Sequence, residues 1–96
     1  MAETTTVIRV QHRLLGGRHH VFTSEDVFGL YVASQDLREA FDAVAPSIVE
    51  LLRLNESIAV TVEPVTSFRE SLTMLRAPQT DADLAFVVVI DDGVSL

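Results

Sequence analysis

The feature that most restricts the fold of this chain is a long amphipathic stretch from Gln35 to Leu54. Its apolar residues recur at steps of three and four while charged residues share the other side, which predicts one α-helix with a face turned to a core. Ser34 is expected to cap its start and Asn55 to take the left-handed conformation at its end, and Pro46 inside it predicts a kink. The predicted core-facing positions are Leu37, Phe41, Val44, Ile48, Leu51 and Leu52.

The residues before this helix follow the period of two that is typical of strands. Thr5 to Leu14 and Arg18 to Ser24 predict the two strands of a hairpin, joined by Leu15-Gly16-Gly17. We expect a three-residue loop, because a two-residue loop would place Phe22 on the face that carries arginine side chains. In this register Phe22 lies opposite Val10, and His20 lies opposite His12.

Three further strands are predicted from the remaining apolar patterns. Leu30 to Ala33 forms a short third strand ahead of the helix. Ser57 to Val65 alternates and forms a fourth, in which Pro64 indicates a strand end or a sheet edge. After a loop over residues 77 to 83, the apolar run Leu84 to Ile90 predicts a strand that is covered on both faces or paired with another subunit.

Residues 67 to 76 have two interpretations. The spacing of Ser67 and Glu70 suits a capping box and a short helix, whereas Thr73-Met74-Leu75 suits a strand. The predicted elements together indicate a single α+β domain over residues 1–96, with an antiparallel sheet, one long helix on a face and the order β-β-β-α-β-β.

The charge balance restricts the function of the chain. It carries 14 acidic and 7 basic residues, a net charge of −7, and lacks the positive patch that phosphate binding needs, so direct nucleic-acid binding is not expected. An acidic surface instead favours a basic protein partner. The absence of cysteine, of a secretory signal and of an apolar stretch long enough for a bilayer predicts a cytoplasmic protein without a membrane segment.

Candidate catalytic and metal-binding groups are few. His12 and His20 would approach each other in the hairpin, but a stable metal site needs a third or fourth ligand, and the spacing supplies none. Glu25 and Asp26 could pair as carboxylates, yet such pairs are common in solvated turns. No Gly-x-Ser-x-Gly motif surrounds any serine. We therefore predict a binding protein without enzymatic activity, metal or cofactor.

Two segments carry a resemblance to a known family. In the stretch from Thr23 to Ala40, the turn Ser24-Glu25-Asp26 leads through Gly29 and Leu30 into a short strand and an acidic-capped helix. That helix closes on Glu50-Leu51-Leu52-Arg53-Leu54-Asn55. This pattern resembles the HicB-like antitoxin superfamily, and within it a branch of small single-domain bacterial proteins of unassigned function. The family usually has proline before the glycine, where this chain has Phe28.

The resemblance implies both a fold and a partner. The fold would be a partly open layer of the ferredoxin-like or double-stranded-RNA-binding-domain-like kind. The partner would be a small basic ribonuclease toxin of the HicA kind, which such a domain neutralises by occluding its surface, and the usual assembly would be an antiparallel homodimer. The alternative is a homo-oligomeric structural or chaperone-like protein without a toxin partner.

Six residues are candidates for partner binding. Glu25 and Asp26 form an acidic turn, and the aromatic residues Phe28 and Tyr31 either anchor an interface beside it or complete the core. Val87 and Val89 belong to the apolar run, which could add to a partner's strand if it lay at a sheet edge.

Overall fold

The computed structural model describes residues 4–75 and 82–90, which form a five-stranded antiparallel sheet with one long helix against one face. This arrangement confirms the predicted α+β class and the order of the strands around the long helix. A second, short helix lies between the last two strands. The elements are β1 (Thr4–Leu15), β2 (His19–Thr23), β3 (Tyr31–Ser34), α1 (Leu37–Glu56), β4 (Val60–Pro64), α2 (Phe68–Leu75) and β5 (Ala82–Ile90).

The strand order is β3-β2-β1-β5-β4, so β5 lies inside the sheet between β1 and β4. Both of its edges are occupied, and the predicted use of this strand as a pairing edge for another subunit is wrong for that reason. It begins at Ala82, within the segment predicted as a loop. The side chains of Phe86 and of the residues two positions before and after it are buried in the core. Val87 and Val89 are half-buried on the opposite face.

The β1–β2 hairpin has a three-residue loop as predicted, but the loop is Gly16-Gly17-Arg18, one residue further along than expected. Both glycines have a positive φ, 61° and 69°, which other residues rarely adopt, and the Arg18 amide donates to the Leu15 carbonyl at 3.1 Å. The register is therefore displaced by two residues, which preserves the faces but changes the pairs. His12 lies opposite Phe22, and His20 lies opposite Leu14.

The start of α1 differs from the prediction. Asp36 is the N-cap, and its Oδ1 accepts from the Glu39 amide at 3.0 Å. Ser34 is still in β3, where it pairs with His20, so the chain leaves the sheet too late for Ser34 to cap the helix. Its hydroxyl supports the turn, accepting from the Asp36 amide at 3.1 Å and donating to Glu39 Oε1 at 2.7 Å.

The end of α1 also differs. Ser57, with φ 58°, takes the left-handed conformation predicted for Asn55, and its amide donates to the Arg53 carbonyl at 3.1 Å. Asn55 remains helical and its Nδ2 donates to the Phe28 carbonyl at 3.2 Å. The helix continues without interruption through Pro46.

The core lies between α1 and the inner face of the sheet, where aromatic rings supply much of the volume. Phe41 of α1 packs against the rings of Phe22, Phe68 and Phe86 at centroid distances of 6.3, 5.2 and 6.1 Å. The largest fully buried side chains are Phe22, Phe86, Ile48, Val10, Val27 and Val44. The apolar face predicted for α1 is thus the face that the sheet covers.

The helical interpretation of residues 68–75 is the correct one, and the capping box explains it. Ser67 N donates to Glu70 Oε1 at 3.0 Å, and Glu70 N donates to Ser67 Oγ at 3.1 Å. Arg76 and the rest of the predicted loop up to residue 81 lie outside the described residues. No helix in the described part of the chain is both long and apolar enough to cross a membrane.

Pro64 occupies the sheet edge, as predicted. The Val65 amide donates to the Ala85 carbonyl at 2.9 Å. The odd-numbered residues of this segment therefore direct their backbone N–H and C=O groups toward β5. The backbone nitrogen of Pro64 therefore points away from β5, toward the free edge of β4. Its missing N–H removes no hydrogen bond from the sheet.

Candidate functional site

The candidate site lies on the outer face of the sheet, the side opposite α1. Side chains of successive strands form rows across this face, because paired residues in an antiparallel sheet point to the same side. One row joins Tyr31, Thr23, Gln11 and Asp83, and another joins Val7, Val87 and Glu63. Within the described ranges both helices contribute their buried residues to the core on the other side, so neither covers this face. Val21 of β2 is nonetheless buried on it, opposite Arg13.

The acidic turn is held against β1 by its own side chains. Ser24 Oγ donates to the Arg9 carbonyl at 2.5 Å, and the Arg9 amide donates to Asp26 Oδ2 at 2.9 Å. The Asp26 amide in turn donates to Ser24 Oγ at 3.0 Å. These bonds lie just beyond the last β1–β2 pair, Gln11 with Thr23. The turn thus takes the place of β2 beside β1 at this point.

The two acidic residues of the turn consequently have different roles. The Asp26 carboxylate is engaged by the backbone of β1 and positions the turn. Glu25 is exposed, and its carboxylate has no hydrogen-bond or ion-pair partner among residues 4–75 and 82–90. Of the two, Glu25 is therefore the one whose charge is free for a partner.

An open cleft of about 450 Å³ begins at this turn and runs across β1 to β5. Three carboxylates line it, and one guanidinium, that of Arg9, lies among them. Apolar residues, Val7 and Ala85 among them, also line the cleft. A lysine or arginine side chain suits such a cleft, because its aliphatic stem can pack on apolar residues while its charged end meets carboxylates. The lining carboxylates are those of Glu25, Asp26 and Asp83.

Phe28 and Tyr31 are exposed, so the alternative that they complete the core is wrong, and their role in an interface stays a prediction. Phe28 is 87% exposed and Tyr31 is 65% exposed. The bond from Asn55 to the Phe28 carbonyl ties this loop to the end of α1. Gly29, with φ 89°, follows Phe28 at a position that disfavours other residues.

Tyr31 also borders a groove of about 370 Å³ between the start of β3 and α1. Its walls include Pro46, Glu50 and Leu51 of the helix. Of the two exposed aromatic residues, Tyr31 lines this groove. Aromatic residues often anchor protein interfaces, because they supply large contact areas at low entropic cost.

Val87 and Val89 lie in the middle of the outer face. Val87 pairs with Val7, which is 61% exposed, and the two form an apolar patch beside the acidic cleft. Val7, Asp83 and Ala85 were not predicted as site residues. The alternation of β1 does place Val7 on the face opposite Ile8, but which residues of β5 lie beside it depends on a pairing that the local pattern does not contain.

The two histidines approach each other, although as diagonal neighbours and not as the directly opposite pair that was predicted. His12 Nε2 and His20 Nδ1 are 3.0 Å apart and their rings stack with centroids 5.3 Å apart. His12 is 3% exposed and also contacts the ring of Phe22 at 5.0 Å. In the described part of the chain no group of three or more potential ligands could hold a metal ion. The pair is thus a packed, hydrogen-bonded part of the inner face.

The structure brings Glu25 and Asp26 together in the cleft, places Val87 in the adjoining patch and leaves Phe28 and Tyr31 exposed on the loop and strand that follow the turn. No protein-family model, curated protein or solved structure matches the chain. The similarity to HicB-like antitoxins therefore stays a prediction from the residues that carry it.

Proposed function

We propose that this chain is a protein-binding domain that holds a small basic protein against its outer face, in the manner of an antitoxin toward a HicA-type ribonuclease. The observation that carries the proposal is the cleft that Glu25, Asp26 and Asp83 line together with apolar residues. The resemblance to HicB-like antitoxins gives the proposal its particular partner.

Charge and shape have separate parts in this proposal. The net charge of −7 attracts a basic protein from a distance and speeds its encounter. Phe28 and Tyr31, exposed on the loop and strand that follow the acidic turn, would then supply the apolar contacts that hold the complex together. Binding across a ribonuclease's basic surface would block access of its RNA substrate, which needs the same positive charges.

The proposal is tested by co-expressing the chain with any small basic protein encoded in the neighbouring reading frame. We expect that protein to arrest growth when expressed alone, and we expect the chain to bind it and restore growth. The double variant Phe28→Ser, Tyr31→Ser should remain folded, since both side chains are exposed, and should lose rescue. Val65→Ser, at another exposed apolar position, is the matched control and should rescue normally.

Two results would overturn the proposal. One is a neighbouring basic protein that neither binds the chain nor has its toxicity relieved by it. The other is full rescue by the double variant, which would remove the aromatic pair from the interface.

A further inference from the structure

One half of β1 has a strand on one side only. β5 pairs with the first nine residues of β1, whereas β2 pairs only with its last five. Beyond the end of β2, the side chains of Ser24 and Asp26 bind the backbone of Arg9. From Arg9 toward the start of β1, no described strand lies on the β2 side. We call the β2 side of Thr4–Ile8 the open edge.

Four backbone groups point out of the open edge, the N–H and C=O of Thr5 and of Val7. In an antiparallel sheet, alternate residues direct both groups to the same neighbouring strand. The amide and carbonyl of Arg9 point to the β2 side, so those of Val7 and Thr5 do as well. None of the four has a hydrogen-bond partner on that side among residues 4–75 and 82–90. The open edge can therefore accept a further strand.

The open edge lies in the same cleft as the carboxylates of the site. Val7 and Ile8 line this cleft, and so does the guanidinium of Arg9. The lining carboxylates are those of Glu25, Asp26 and Asp83. One positive group among three negative ones leaves a balance of two negative charges beside the edge. A strand added here would meet that charge, which favours positive side chains on it.

We propose that an extended basic segment of the partner adds to the open edge as a sixth strand, antiparallel to β1. This inference rests on the proposed function and specifies how the partner is held. In the proposed register, one residue of the segment pairs with Val7 and the residue two positions later pairs with Thr5. All four free backbone groups are then bonded. Antiparallel pairing matches the rest of the sheet and is the more stable arrangement.

This register brings alternate side chains of the segment to the outer face. The residue opposite Val7 shares its side of the sheet, and two residues of β1, about 7 Å, separate that pair from Arg9. A lysine or arginine at this position is therefore within reach of the turn that holds Asp26 and Glu25. Its aliphatic stem can pack on Val7, which is 61% exposed. The intervening side chain points to the other face, so only alternate residues need to be basic.

Charge and backbone together decide among the possible occupants. Thr4–Ile8 contains neither proline nor a charged residue, the usual obstacles to strand addition. A second copy of this chain would bring another cleft of the same negative balance to one shared edge, which opposes its binding. An uncharged strand would gain the backbone bonds alone. A basic segment gains both the bonds and the ion pairs.

Backbone-methylated peptides test the pairing. The probe is acetyl-Lys-Val-Lys-Val-Lys-amide, titrated into the chain at about 0.01 M salt, where surface charges are little screened. Methylating the lysine amides removes the N–H groups that would face β1, and methylating the valine amides removes those that would face away. We expect NMR shifts at the amides of Thr5 and Val7. The lysine-methylated peptide should bind at least about tenfold more weakly than the valine-methylated one.

Two substitutions test the same bonds from the side of the chain. Val7→Pro removes an N–H that faces the open edge, and it removes no hydrogen bond from the sheet. Val7→Thr loses the same apolar side chain but keeps the N–H, so it is the matched control. We expect Val7→Pro to bind the unmodified peptide at least about tenfold more weakly than Val7→Thr does. Circular dichroism verifies the fold of both variants, and the methylated peptides test the pairing even if Val7→Pro does not fold.

The requirement for positive charge is tested with glutamine in place of each lysine. This neutral peptide should bind at least about tenfold more weakly at the same salt concentration. Equal binding of the charged and neutral peptides would overturn the choice of a basic segment. Equal binding of the two methylated peptides, or no binding of the unmodified peptide at millimolar concentration, would overturn strand addition itself.

Failure of this inference differs from failure of the proposed function. If the basic partner binds the Val7→Pro variant normally but not the Phe28→Ser, Tyr31→Ser variant, the proposed function stands and strand addition is wrong. If no basic protein binds the unmodified chain while the peptides differ as expected, the proposed function is wrong and the open edge still binds basic strands.

Discussion

At the scale of single residues, the outer face depends on side chains that replace missing backbone partners. Ser24 and Asp26 bind the carbonyl and the amide of Arg9 where no strand is present to do so. A carboxylate that accepts from a backbone amide forms a charge-assisted bond, which is stronger than a bond between neutral groups. Asp26 thus contributes to the shape of the site, while its neighbour Glu25 contributes charge.

This difference predicts unequal effects on stability. Asp26→Ala should lower the free energy of unfolding by about 1 to 2 kcal/mol, since the Arg9 amide loses its acceptor, and Asp26→Asn should lose less because an oxygen remains. Glu25→Ala should stay within about 0.5 kcal/mol, as expected for an exposed side chain without partners. Urea unfolding of the three variants measures these effects. Equal losses for Asp26→Ala and Glu25→Ala would contradict the assignment.

At the scale of elements, α1 shows where a local pattern is sufficient and where it is not. The repeat of apolar residues predicts the helix and its buried face, because both depend on spacing within one segment. Both Ser34 and Asp36 are residue types suited to the N-cap. The choice between them depends on the pairing of Ser34 with His20, a contact between distant parts of the chain.

The cap assignment leads to a direct comparison. Asp36→Ala should cost about 1 kcal/mol of unfolding free energy, because the Glu39 amide loses its acceptor. Ser34→Ala should cost less, since its hydroxyl braces the turn without capping the helix. Thermal and urea unfolding of the two variants in parallel would decide the matter. A larger loss for Ser34→Ala would support Ser34 as the cap.

The remaining differences from the sequence-based expectations have two origins, the position of a strand within the sheet and the conformation of a turn. The run from Leu84 to Ile90 reveals a strand but not its neighbours, because the position of a strand in a sheet is set by contacts far apart in sequence. The interpretation of β5 as an edge strand is wrong for this reason, since Val87 lies in the middle of the sheet beside Val7. The hairpin register was displaced because the positive φ of Gly16 and Gly17 places both glycines in the first two loop positions.

At the scale of the whole molecule, the proposed partner complex should depend on salt. The acidic net charge acts over distances comparable to the Debye length, which is about 30 Å at 0.01 M salt and about 3 Å at 1 M. The cleft concentrates this charge near Glu25. A complex formed with a basic protein should therefore weaken as salt is added, and its association rate should fall more than its dissociation rate changes.

The contribution of the cleft can be separated from that of net charge. Glu25→Lys and Glu56→Lys each raise the net charge by two, from −7 to −5, but Glu56 lies at the end of α1, outside the cleft. Once the basic partner has been identified, Glu25→Lys should weaken its binding several-fold more than Glu56→Lys does at about 0.01 M salt. The difference between the two variants should shrink near 1 M salt. Titration calorimetry at both salt concentrations measures this. Equal effects of the two variants would remove the acidic turn from the interface.

The position of β5 between β1 and β4 also determines when the sheet can assemble. β1 leaves the ribosome before β5, the last of the described strands, yet the two pair over nine residues. Contacts between such distant segments slow folding, because a long loop must close before they form. During synthesis, the β5 side of the β1 backbone therefore stays unpaired until β5 has left the ribosome.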